Sequence, residues 1–168
     1  MSRRVGTELP GPLQRLLGGA DLERASGLTV LLLTVDGAGW PRVAMLSAGE
    51  VLATAPRAIR LALWPDSSSA ANLARAGRGT LALVEGGAGW YVRCRASRDG
   101  DLLLPGERRL ASFALAVEEV LEDVVPYAEL TGGIEFRLTE PDRALAAWRA
   151  TVAAMRRAAA GDRTPPGN

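Results

Sequence analysis

Three consecutive hydroxyls, Ser67, Ser68 and Ser69, stand in the segment Trp-Pro-Asp-Ser-Ser-Ser-Ala-Ala-Asn-Leu, between an apolar run and a stretch with helical spacing. A helix start leaves backbone N–H groups without partners and carries partial positive charge, so it suits an anion such as a phosphate. Capping that end needs one side chain, Asp66 or Ser67, accepting from an N–H two or three residues on. The surplus hydroxyls could then donate to an anion beside the N–H groups. The plain alternative is that serines are small and soluble at a turn.

Arg42 is the second group of interest. It follows the turn Asp-Gly-Ala-Gly-Trp on a strand-like segment, where an arginine near a helix start could clamp a phosphate with two parallel hydrogen bonds. Arg93 and Arg95 share one face of a later strand and are expected to face solvent. Trp64, Trp90 and Tyr91 stand out in a chain with 5% aromatic residues. Trp90, directly after a glycine turn, suits packing or a subunit contact better than ligand stacking. Cys94 alternates with the arginines and reads as a small buried hydrophobe. Glu118, Glu119, Glu122 and Asp123 are expected on the polar side of a helix as a solvated face; without other ligands they suggest no metal site.

The absences narrow the chemistry further. There is no histidine, and all 20 basic residues are arginine. Imidazole metal sites, Ser-His-Asp and Cys-His nucleophile systems, lysine Schiff bases and the P-loop lysine are thereby excluded. If the protein is an enzyme, a bound cofactor is expected to carry the hard step. A genome rich in G and C would produce the same arginine bias without any functional cause.

The elements that must position these residues are legible as runs and turns. A length of 168 residues suits one domain with a real core, here expected over residues 1–160, and residues 161–168 are expected to form a disordered tail. The net charge of +1 gives no field for nucleic acid or an anionic membrane, and no apolar run is long enough to span a bilayer. The N-terminus lacks the apolar run of a secretory signal, and the single cysteine forbids an internal disulfide, so the cytoplasm is the expected compartment.

A short helix is expected near residues 10–18, then strands at 27–36, 40–47, 50–55 and 58–64, with Arg42, Ala44 and Leu46 on one face and Val43, Met45 and Ser47 on the other. The serine segment opens a short helix that Gly77 stops. Strands follow at 79–85 and 90–98. From Glu107 to Val125 the apolar residues Leu110, Phe113, Val117, Val120, Leu121 and Val124 take helical spacing, a strand is expected at 132–139, and a second long helix from Asp142 to Ala160. The expected class is α+β: an antiparallel six-stranded barrel with a short inserted helix and two longer C-terminal helices.

The order of these pieces, with Asp-Gly, Pro-Arg and Ser-Ser-Ser-Ala-Ala-Asn-Leu at their places over residues 25–98, resembles the pyridoxamine 5'-phosphate oxidase-like family of FMN-binding split barrels. The resemblance implies a homodimer with FMN at the subunit interface, an oxidoreductase activity, no nucleic acid and no membrane. By similarity, Arg42 would meet the FMN phosphate, backbone from Val43 through Ala44 to Met45 would line the ring, and Leu63 would offer it a backbone contact. Ser67, Ser68 and Ser69 would hold the phosphate, with Asn72 one helical turn on, and Trp90 or Tyr91 would approach from the partner chain. Ser47 stands where many relatives carry lysine, and the serine triplet stands where the vitamin B6 oxidases read Ser-Arg-Lys. Two charges of the phosphate grip are thus missing, and pyridoxamine phosphate oxidation itself is not expected. Relatives also bind the deazaflavin F420, which stays open here, as does a non-catalytic carrier or cofactor-free scaffold. Heme lacks a histidine ligand in this chain.

Overall fold

The computed structural model describes residues 1–161. Its centre is a long antiparallel hairpin, β7 (Ala88–Leu103) and β8 (Arg109–Asp123), paired from Gly89↔Asp123 to Leu103↔Arg109. The other strands hang from this hairpin. On one side lie β6 (Arg78–Glu85), β2 (Val30–Val35) and β3 (Pro41–Leu46); on the other lie β5 (Ala58–Leu63) and β4 (Val51–Ala55). The resulting eight-stranded sheet runs β3-β2-β6-β7-β8-β5-β4, with β1 (Ser2–Gly6) also paired to β8. β8 therefore serves two partners along one edge: β5 on residues 111–116 and β1 on residues 120–123. Among the described residues the end strands β3 and β4 do not pair with each other, so the sheet does not close on itself.

The sheet has two strands more than the six read from sequence, and the first C-terminal helix is instead β8. The physical cause is a bulge. Arg93 pairs Glu119 while Cys94 pairs Val117, so Glu118 is an extra residue in β8. An inserted residue shifts the alternation, so Val117 and Val120 both point inward at a spacing that mimics a helix. Nearer its start, Leu110, Ala111, Ser112 and Phe113 are all buried, because one face meets the barrel interior and the other meets the last helix. β1 carries no strand signature in the sequence, because Ser-Arg-Arg-Val-Gly is polar and exposed, as an edge strand can be. The strand expected at 132–139 is reduced to one bridge, Leu28↔Glu135.

Two cores stabilise the fold. Inside the barrel, Leu13 of α1 (Gly11–Leu16) and Leu17 just after it pack against Val30, Leu32, Leu61, Leu81, Val92 and Phe113. The second core lies under α3 (Pro141–Ala159), where Val152 and Met155 meet Leu52, Ala62 and Leu110. Pro141 suits the first turn of that helix, where no N–H partner is lost. Arg60 ties the two layers: it pairs with Asp99, and its Nη2 donates to the Ala158 carbonyl at 3.3 Å. The expected tail lies mostly outside the described residues.

α3 also docks through Trp148, whose ring lies on Gly49. An ideal Cβ at Gly49 would stand 2.2 Å from Trp148 Cγ, so any side chain there displaces the indole. Gly49→Ala is expected to lower the unfolding free energy by about 1–3 kcal/mol through this overpacking. A urea midpoint equal to that of the parent chain would show that Trp148 does not sit there.

Candidate functional site

The serine triplet opens α2 (Ser68–Ala76), as its local chemistry requires. Ser67 is the N-cap, with extended backbone and its hydroxyl accepting from Ala70 N–H at 3.2 Å. Gly77 closes the helix in the left-handed conformation, φ 63°, which costs glycine least. Only the cap hydroxyl is spent on the helix. The N–H groups of Ser68 and Ser69 have no acceptor among the described residues, Ser68 is exposed, and Ser69 is buried. This is the arrangement that suits an anion.

Hydrogen bonds and register place Arg42 relative to that helix. Asn72, buried on α2, donates from Nδ2 to Thr34 Oγ1 on β2 at 3.1 Å. Thr34 is the cross-strand partner of Arg42 on β3. Cross-strand partners project to the same face of a sheet, so Arg42 lies on the face against which α2 packs. Arg42 is exposed and has no ion pair among the described residues. The hairpin that presents it is held by Asp36, whose Oδ1 accepts from Ala38 N–H and Trp40 N–H, both at 3.0 Å.

The opposite face of the same strands is apolar and open. Met45, Leu31, Ala82 and Tyr91 form one row across β3, β2, β6 and β7. Val43 and Met45 there are 58% and 66% exposed, while Ala44 points inward and is half-buried. Ser47, just beyond β3, is engaged locally: its N–H and hydroxyl both donate to Glu50 Oε2, at 2.7 and 2.8 Å. Leu63 is buried at the end of β5, and Trp64 beside it is exposed. Trp90 is buried in the barrel core, with its indole N–H donating to the Glu85 carbonyl at 3.0 Å. Tyr91 is the aromatic of that pair on the outer face, bonded to Asp123 at 3.3 Å.

Two features near the site were not read from sequence. Thr34 is a lone hydroxyl in an apolar run, and that oddity was its only signal. Beyond the α2 C-terminus, Arg75, Arg78 and Arg93 line a groove of about 570 Å³ together with Val35 and Pro41. Arg93 and Arg95 are surface ion pairs to Glu119 and Glu118, at 2.6 and 2.5 Å. The four carboxylates expected on a helix thus lie on β8, where Glu119 also meets Arg4 at 3.3 Å and Glu122 meets Arg3. No cluster of metal-ligating residues occurs among the described residues.

Cys94 is 2% exposed, and burial, then the nearby Glu118 carboxylate, push its thiol up to about 12. The thiolate that a nucleophile needs is therefore disfavoured. A raised thiol value stabilises the fold fully below the ordinary 9.0, and that contribution is lost as pH rises toward about 12. Native protein at pH about 8 is expected to resist iodoacetamide until denatured. Unfolding free energy should fall above pH 9.0, and less steeply in Cys94→Ala. Rapid labelling of the native thiol would contradict this. Tyr91, raised by burial and then by Asp123, supplies a further part of the same alkaline loss.

No protein-family model matches the chain. Protein YclD of Bacillus subtilis, itself uncharacterized, is 34% identical over 145 residues, covering 86% of this chain and 94% of YclD. Among solved structures, a candidate pyridoxamine 5'-phosphate oxidase of Lactobacillus delbrueckii aligns with a TM-score of 0.56 at 18% identity, over 70% of this chain and 98% of that one. HupZ of Group A Streptococcus aligns with a TM-score of 0.53 at 16% identity, over 68% and 99% of the two chains. At these identities the structural likeness is one of fold. The chain therefore belongs to one family with YclD, built on the split barrel of pyridoxamine 5'-phosphate oxidase-like proteins.

Proposed function

We propose that the protein is a homodimeric flavin-binding oxidoreductase, with FMN as its cofactor. The observation that carries this reading is the start of α2. It has N–H groups at Ser68 and Ser69 that are unspent among the described residues and an exposed Ser68 hydroxyl, and Arg42, on the sheet face the helix packs against, has no ion pair among those residues. Those groups fit a phosphate. Backbone from Val43 to Met45 and at Leu63 would border the flavin ring. The outer face that carries exposed Val43 and Met45 and half-buried Tyr91 would be covered by a second copy, which brings its own Tyr91 toward the ring. Ser47 contributes less, because Glu50 already holds its hydroxyl. When bound, the flavin would supply the hydride or electron-pair transfer that a chain without histidine or lysine lacks the groups to perform alone.

The neutral serine grip supports a second reading, a non-catalytic flavin or F420 carrier, or a dimeric scaffold of this fold without cofactor. Purification without added ligand separates them: a flavoprotein is yellow, and a colourless protein that fails to take up FMN at high concentration overturns the leading reading. F420 offered in parallel tests the choice of ring. Light scattering should give twice the chain mass, 17.7 kDa. Arg42→Ala is expected to weaken FMN uptake by about 1–3 kcal/mol, the size of a charge-assisted hydrogen bond. Unchanged affinity would remove Arg42 from the phosphate site.

A further inference from the structure

We infer that a cavity between the barrel and α3, walled by Trp64 and Trp148 and floored by Arg108, binds a small planar monoanion of the aromatic carboxylate class. The cavity has a volume of about 220 Å³. That is room for a single ring and its acid group, and too little for a nucleotide. The site stands whether or not a flavin binds along β3, and Ser47, at the end of that strand, lies on its rim.

Arg108 is the reason to expect an anion. It lies in the turn between β7 and β8, where its carbonyl accepts from Leu104 N–H at 2.9 Å. Its Nη2 donates to Thr151 Oγ1 at 3.1 Å, and that hydroxyl donates to the Ala147 carbonyl at 3.0 Å. Thr151 is 3% exposed, so the guanidinium is anchored on a fixed, buried partner. Its Nε is buried and has no hydrogen-bond partner among the described residues. Like Arg42, Arg108 forms no ion pair among the described residues; unlike Arg42, it is half-buried. A half-buried cation held by one neutral hydroxyl is costly, and a carboxylate supplies the missing charge with matching planar geometry.

The walls define the rest of the ligand. Trp148 is fixed on Gly49 and meets Phe136 edge-on, with ring centroids 6.3 Å apart. Trp64 lines the same cavity and is 58% exposed. Two indoles favour an aromatic ring over an aliphatic chain. Glu50 lines the same cavity, with its Oε2 bonded to Ser47. Each negative charge of a ligand is opposed by that carboxylate, so a phosphate dianion is disfavoured more than a monoanionic carboxylate.

Benzoate titrated into the full chain, read by tryptophan fluorescence, tests this. Saturable quenching is expected, with inorganic phosphate failing to compete. Arg108→Gln should weaken benzoate about tenfold or more, as for loss of a charge-assisted bond. Arg108→Lys, which keeps charge but loses the planar fork, should fall between the two. Trp148→Phe should remove most of the signal change. Linear, unsaturable quenching overturns the proposal. So does parent-like affinity in Arg108→Gln, or in Arg108→Lys should the glutamine variant fail to fold. Competition by phosphate would overturn the carboxylate assignment, and an undiminished signal in Trp148→Phe would place the ligand elsewhere.

Discussion

The β7–β8 hairpin is the constraint on which the rest of this structure depends. Its continuous pairing lets one end carry the β6-β2-β3 sheet and the other carry β5 and β4. A straight ribbon of that length could not wrap a core. The bulges at Arg93/Cys94 and between Arg98 and Gly100 add bend and twist where the two halves must diverge. Gly100, at φ 119°, takes a conformation that a side chain would resist. From that bend follow the two layers: a barrel interior closed by α1, and an outer face of β4, β5 and the start of β8 closed by α3.

The two candidate sites sit at seams created by this architecture. The start of α2 follows β5, yet the helix packs on β2, so it joins the two halves of the barrel. The Arg108 cavity lies where the β7–β8 turn meets α3. Both positions combine a rigid scaffold with polar groups that the scaffold leaves unspent, which is where ligand sites concentrate in compact folds.

The strands β2 to β7 were legible because each has apolar alternation bounded by glycine, proline or aspartate turns. The C-terminal helix was legible for the same reason at helical period. β8 was hidden by one inserted residue and by burial of both faces at its start, two tertiary facts that no local window holds. At the candidate site, residue type and local order pointed to Ser67–Ser69 and Arg42. The Thr34–Asn72 bond that relates them could not be read, because it joins segments that only the folded sheet brings together. Arg108 was invisible as a site residue, since in sequence it is one of several polar residues at a turn. Trp90 and Tyr91 show how finely the pleat matters: adjacent in sequence, one fills the core and the other faces outward.

The division of β8 between two partners has a consequence for the order of assembly in the cell. β1 leaves the ribosome before the other described strands, yet its pairing partner is the stretch from Val120 to Asp123. At ordinary synthesis rates that wait is on the order of ten seconds, far longer than a hairpin takes to close. β1 must stay without this partner until that stretch has emerged. Its sequence, Ser-Arg-Arg-Val-Gly, carries the charge that keeps a waiting strand from annealing to the wrong neighbour.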